Sequence, residues 1–152
     1  MAVSHISFLT KDTDKPTDLI AAIDAIDWGA GQFLVKRLLS GDLDQNDVVI
    51  VLTTSNGDLM GFVALLKHDI ADLSYEGPYL STLYVVPSYR GQGLSRQLIT
   101  LVEEAAQVRD YHEIYTITRH QGLYEKYGFT FLEDIKDQFG RDMHLLRKSL
   151  VD

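Results

Sequence analysis

The stretch Leu83-Tyr84-Val85-Val86-Pro87-Ser88-Tyr89-Arg90-Gly91-Gln92-Gly93-Leu94-Ser95-Arg96 decides how this chain is read. Apolar and β-branched positions end at Pro87, a glycine-rich turn follows, and the turn opens onto a helical pattern. Leu94, Leu98, Leu101, Val102, Ala105 and Val108 recur at helical spacing and predict one helix over 94–108. In physical terms a strand, a glycine turn and a helix start make an anion site. The first N–H groups of a helix lack internal acceptors, and the helix dipole adds partial positive charge there. Gly91 and Gly93 let the backbone approach a bulky phosphate, and Arg90 and Arg96 add charge and forked donors. A P-loop is disfavoured, because no Gly-x-x-x-x-Gly-Lys-Ser/Thr occurs. A dinucleotide fingerprint is disfavoured, because its third glycine falls on Arg96. On these residues alone, a plain turn with glycine as punctuation stays open.

Working outward, Val3 to Leu9 alternates as a strand. Thr17 or Asp18 can cap a helix that carries Leu19, Ile20, Ile23 and Ile26. Trp28-Gly29-Ala30-Gly31 reads as a break, and Gln32 to Leu39 as a second amphipathic segment. The runs Val48–Thr53 and Leu59–Leu66 flank Ser55-Asn56-Gly57-Asp58. Asn-Gly between two such runs signals a hairpin whose two central residues need positive φ. An acidic loop spans His68 to Gly77. Strands are expected at Tyr79–Val86 and Ile114–Thr118, a short helix at Gly122–Tyr127, and a last pair of strands at Phe129–Leu132 and Met143–Leu146. The order β-α-α-β-β-β-α-β-α-β-β is that of an α/β domain with a mixed sheet, read here as one domain over 1–152.

Composition narrows the partners. Fourteen Lys and Arg against twenty-two Asp and Glu give a net charge of −8, which disfavours nucleic acid. No apolar run reaches the roughly 18 residues of a membrane span, and the N-terminus has no signal-peptide pattern, so no membrane is expected. Cysteine is absent, so disulfides, Cys-ligated zinc and a cysteine nucleophile are all excluded. A cytoplasmic location is expected. A homodimer is left open.

Arg90-Gly91-Gln92-Gly93-Leu94-Ser95, preceded by Val85-Val86-Pro87, resembles the acetyl-coenzyme A signature of the GNAT superfamily of N-acetyltransferases, Arg/Gln-x-x-Gly-x-Gly/Ala. The one departure is Ser95. Downstream, Leu123-Tyr124-Glu125-Lys126-Tyr127-Gly128-Phe129 resembles the superfamily's Tyr-x-x-x-Gly-Phe block. The resemblance spans nearly the whole chain. It implies a GNAT fold in which the parallel strands Leu80–Val86 and Ile114–Thr118 splay apart. It implies acetyl-coenzyme A as co-substrate, with the pantetheine arm along Leu83, Tyr84 and Val85 and the pyrophosphate on the turn Arg90, Gly91, Gln92, Gly93, Leu94 and Ser95; Arg96 is a further coenzyme-binding candidate through its charge. It also implies that the Val85 N–H stabilises the carbonyl oxyanion and that Tyr124 protonates the departing sulfur. A structural alternative stands beside each: a ladder bond for Val85, core packing for Tyr124. Tyr127 is read as packing. Many members hold the pantetheine with an Asn before the Tyr. That Asn is missing here, and Thr118 or Gln121 is the candidate substitute.

Acetyl transfer needs a neutral amine, yet a free alkylamine has a pKa of about 10.4. Without cysteine, direct attack in a ternary complex is the simplest path. Glu76, Asp72 and His120 are the candidate bases, with Glu76 preferred. His5 and His144 are read as structural and His68 as loop surface. Asp24, Asp27, Asp69, Asp72, Glu76, Glu133, Asp134 and Asp137 lie in loops expected around the acceptor, together with Trp28, and favour a cationic amine on a small molecule or peptide. The alternative to an enzyme is a catalytically degenerate acyl-coenzyme A sensor or interaction module, and a weaker one is an unrelated phosphate-binding regulatory domain.

Overall fold

The computed structural model describes residues 3, 5–68, 77–137 and 139–151. In chain order it contains β1 (His5–Leu9), α1 (Thr17–Asp24), α2 (Gly29–Ser40), β2 (Val48–Thr53), β3 (Leu59–Leu66), β4 (Tyr79–Val85), α3 (Leu94–Val108), β5 (Glu113–Thr118), β6 (Thr130–Lys136) and β7 (Asp142–Ser149). One seven-stranded sheet runs β1-β2-β3-β4-β5-β7-β6. Every neighbouring pair is antiparallel except β4 and β5, which are parallel.

Alternation along the strands sends side chains to two cores. On one face Val49, Val51, Phe62, Ala64 and Leu66 meet Ile20 and Ile23 of α1 and Leu34, Val35 and Leu38 of α2. On the other face Ile50, Leu52, Met60, Leu80, Ile114 and Leu146 meet Leu98, Ile99, Val102 and Ala106 of α3. Each fully buried aliphatic side chain contributes roughly 1.5–3 kcal/mol, so packing on two faces, more than local propensity, holds the elements in place. Val108, expected on the apolar face of α3, is exposed at the helix end.

Four local expectations are corrected. The hairpin turn has Gly57 alone at positive φ (+85°); Asn56 is not left-handed. The turn is closed by Thr54, whose carbonyl accepts from Gly57 N–H at 2.9 Å and whose N–H donates to Asp58 O at 2.9 Å. The helix α2 begins at Gly29 rather than Gln32. A side chain at buried Gly31 would meet Trp28 at 3.3 Å, so the apparent breaker is the small residue on which that indole rests. The helix expected at 122–127 is a single 3-10 turn, Glu125–Tyr127. Left-handed Gly122 (φ +86°) and Gly128 (φ +93°) bracket the segment, and Gly128 ends the turn directly after Tyr127. Finally, β6 and β7 are longer than expected, because β6 is exposed along nearly its whole length and shows little apolar alternation.

Candidate functional site

The parallel pair β4–β5 is joined only at Tyr79 with Tyr115 and Leu80 with Thr116. The Thr116 hydroxyl donates to the Leu80 carbonyl at 2.9 Å and closes the vertex. Beyond it the strands part. β4 also carries an irregularity against β3, between the pairs Phe62–Tyr84 and Ala64–Ser81. Thr82 sits in that bulge at φ +53°, a left-handed conformation costly for a β-branched residue, and its Oγ1 is buried without a hydrogen-bond partner. Nothing in the sequence announces this kink.

Past the bulge, the Val86 N–H donates to Met60 O at 2.8 Å, toward β3. In extended backbone successive N–H groups point to opposite edges. The N–H and carbonyl of Val85 therefore face the open side, where β5 has diverged. The carbonyl is taken by Arg90 Nε at 2.9 Å. Arg90 also lies 5.5 Å from the centroid of the Tyr84 ring, so its guanidinium is part of the framework and only its Nη groups remain for a ligand.

The turn after β4 has Gly91 at φ +79° and Gly93 at φ +80°. A Cβ built on either meets nothing within 4 Å. The first helical bond of α3 runs from Gln97 N–H to Gly93 O at 3.1 Å, and no side chain caps the helix. The N–H groups of Leu94, Ser95 and Arg96 thus precede the helical ladder beside open space. Leu94 is buried in the α3 core, Ser95 is half-buried, and Gln92 is exposed. The Arg96 guanidinium lies 5.1 Å from the Tyr127 ring centroid.

A cleft of about 740 Å³ opens from the splay toward the α1–α2 face. Leu83, Thr118 and Tyr124 line it, as do Thr82, Phe139 and Met143. Tyr124 is buried, packs edge-on against Phe129 with 5.6 Å between ring centroids, and accepts from Tyr127 N–H at 2.9 Å through its carbonyl. Thr118 Oγ1 accepts from the His120 N–H at 3.0 Å. Of the two substitutes for the missing Asn, Thr118 borders this cleft, whereas Gln121 lies in a separate cavity of about 360 Å³ beside His144. His144 itself bonds Asp134 at 2.8 Å on that far side. Trp28 lines the cleft and is also an anchor, stacked on Tyr84 at 5.4 Å, which in turn stacks on Phe62 at 5.6 Å.

The candidate bases divide. His120 borders the cleft, whereas Glu76 and Asp72 lie outside the described residues. The acidic acceptor surface is not met among the described residues. Arg37, Arg119, His120 and Arg141 line the cleft, and no described Asp or Glu does. Asp24, Asp27, Glu133 and Asp134 are exposed elsewhere, and Asp69 lies outside the described residues. Asp137 is buried in the β6–β7 turn. Its carboxylate accepts from Phe139 N–H (2.8 Å), Arg141 N–H (3.0 Å) and Arg141 Nε (2.6 Å). Burial pushes this carboxyl upward, but the hydrogen bonds from Arg141 and Phe139 outweigh it and hold it below the usual carboxylate range. Among the described residues no group of His, Cys, Asp and Glu is arranged to hold a metal ion, and no helix is long and apolar enough to cross a membrane.

Comparison with known proteins gives the same architecture. The fold matches a GNAT family acetyltransferase from Elizabethkingia anophelis solved with acetyl-CoA bound, at 21% identity, TM-score 0.64, with 95% of this chain and 97% of that one covered. It matches the aminoglycoside 6'-N-acetyltransferase of Enterococcus faecium at 16% identity, TM-score 0.72, with 98% of each covered. It also matches a spermidine N-acetyltransferase from Vibrio cholerae at 15% identity, TM-score 0.65, with 96% and 93% covered. At these identities the likeness is one of fold. No curated protein matches the chain significantly in sequence. The sequence model of the acetyltransferase (GNAT) domain, however, matches residues 25–150, most of the chain. The protein with this splayed sheet and glycine turn belongs to the GNAT acetyltransferase family.

Proposed function

We propose that this protein moves the acetyl group of acetyl-CoA directly onto the nitrogen of a primary amine, on a small molecule or a peptide. The observation that carries the reading is the parting of β4 and β5 beyond Leu80 and Thr116, with the Val85 N–H facing the gap and Tyr124 bordering the cleft that opens from it.

The residues present fit the coenzyme. Open space over Gly91 and Gly93 and the uncapped N–H groups of Leu94, Ser95 and Arg96 suit a pyrophosphate, with the Nη groups of Arg90 beside them. Leu83, Tyr84, Val85 and Thr118 suit the pantetheine arm. When bound, the coenzyme supplies the acyl group as an activated thioester. The Val85 N–H donates to the carbonyl oxygen as negative charge develops there. Tyr124 acts as general acid and delivers the proton of its hydroxyl to the departing sulfur. One C–N bond forms and one C–S bond breaks; the amine loses one proton and the sulfur gains one. Glu76, preferred on the sequence, or His120, which borders the cleft, takes the proton from the amine. The cysteine-free chain and a thioester co-substrate suit a cytoplasmic setting.

A thiol-release assay with acetyl-CoA against a panel of primary amines tests the reading. Amine-dependent release supports it. Coenzyme binding without release from any amine overturns it in favour of an acyl-CoA sensor. Sedimentation of the same sample tests for a homodimer.

A further inference from the structure

Among the described residues the charged side chains of the cleft are cationic: it is lined by three arginines and a histidine and by no carboxylate. Arg37 is already committed: it donates to His68 O (3.1 Å) and Asp42 O (3.3 Å) and pairs with buried Asp47 at 3.5 Å. Arg119 and Arg141 differ. Arg119 is exposed and has no hydrogen bond or ion pair among the described residues. Arg141 is oriented: Asp137 grips its Nε edge, and Phe139 lies under the guanidinium at 5.3 Å from the ring centroid. Asp137 already accepts three hydrogen bonds within the turn, which leaves the outer Nη edge of Arg141 as a fork of donors. The coenzyme phosphates do not explain these two residues, because none of residues 90–96 borders this cleft.

We infer that the acceptor carries an oxyanion, a carboxylate or a phosphate, in addition to its amine, and that Arg141, reinforced by the charge of Arg119, receives it. The inference rests on the N-acetyltransferase reading and narrows its substrate class to zwitterionic amines. A polycation would place ammonium groups against the Arg119 guanidinium and the outer Nη edge of Arg141, a like-charge contact. The oxyanion takes no part in the bond changes; it fixes which end of the acceptor meets the thioester.

The test uses matched acceptors: common amino acids against their amides, phosphoethanolamine against ethanolamine, and spermidine as a polycation. Turnover is read by thiol release. Binding is read separately by titrating the coenzyme A-saturated protein with N-acetyl amino acids and N-acetyl amino amides. The acids are expected to exceed their neutral partners by roughly tenfold or more in kcat/KM and in affinity, as expected for one charge-assisted hydrogen-bonded pair. Arg141→Ala should erase most of that preference, and Arg141→Lys should restore only part of it. A preference for carboxylate over phosphate, or the reverse, identifies the source of the oxyanion. Equal use of acids and amides, or better use of spermidine, overturns the inference and leaves the transferase reading standing. No release from any amine and no binding of any N-acetyl acid, with coenzyme binding intact, overturns both.

Discussion

Arg90 Nε donates to the Val85 carbonyl at 2.9 Å, tying the glycine turn back to the strand that precedes it. The bond holds the exposed edge of Val85 and the turn in one rigid piece. Arg90→Ala is therefore expected to weaken coenzyme binding by about 1–3 kcal/mol, as for the loss of a hydrogen bond from a charged donor. Arg90→Lys should recover little, because an ammonium cannot replace Nε and reach outward at once. Calorimetric titration with acetyl-CoA reads both, and full recovery by Lys would show that only charge matters.

Gly93 sits at φ +80° with open space where a Cβ would lie. Gly93→Val is expected to abolish coenzyme binding, because the side chain enters that space and strains the backbone. The strain alone costs about 1–2 kcal/mol, so the protein should still fold. A folded variant, checked by circular dichroism, with affinity within about twofold of wild type would remove this turn as the phosphate site.

Tyr124→Phe keeps the buried ring against Phe129 and removes only the hydroxyl. Turnover is expected to fall by about 10²–10⁴-fold at constant coenzyme affinity. Unchanged kcat would mean that solvent protonates the sulfur.

Thr82 carries two local costs, a left-handed φ for a β-branched residue and an unpaired buried hydroxyl. Glycine removes both, at an entropic cost of roughly 0.5–1 kcal/mol. Thr82→Gly is therefore expected to lie within about 1 kcal/mol of wild type in urea unfolding, far milder than truncation of a packed residue such as neighbouring Leu80, which costs about 2–5 kcal/mol. A loss of several kcal/mol at Thr82 would show that its packing outweighs the strain.

The Asp137 carboxyl is held below its ordinary value in the folded state. Its contribution to stability is thus complete above the unfolded value of about 3.9 and is lost as pH falls below that, through the lowered folded value. Asp137→Asn should make the acid decline of the urea midpoint shallower and, at neutral pH, leave Arg141 less firmly oriented. An acid limb identical to wild type would contradict the assignment.

What the sequence reveals and what it hides follow from range. The turn at Arg90–Gly93 is legible because glycines at positive φ and a following apolar period are local signals. The splay is legible only through the resemblance of that turn and of the Tyr124–Phe129 block to known relatives. The bulge at Thr82 is illegible, since a β-branched residue in a strand normally argues for regular pairing and tertiary packing overrides that preference. The grip of Asp137 on Arg141 is hidden because an acidic residue in a turn reads as solvated surface. The cationic lining of the cleft is hidden for a related reason: Arg37, Arg119 and Arg141 are far apart in sequence, and the net charge of −8 points the other way.

The narrow seam between β4 and β5 makes the molecule two half-sheets with a hinge line between them. Past Leu80 and Thr116 the halves share no strand pairing; α3 spans them on one face, and the Tyr79–Tyr115 pair bridges them on the other. A co-substrate seated in the gap then acts as a splint, replacing the missing rungs of the ladder. Hydrogen exchange in β5 and β7 should therefore slow on acetyl-CoA binding well beyond the residues it touches, because opening along the seam is the sub-global route by which those amides reach solvent.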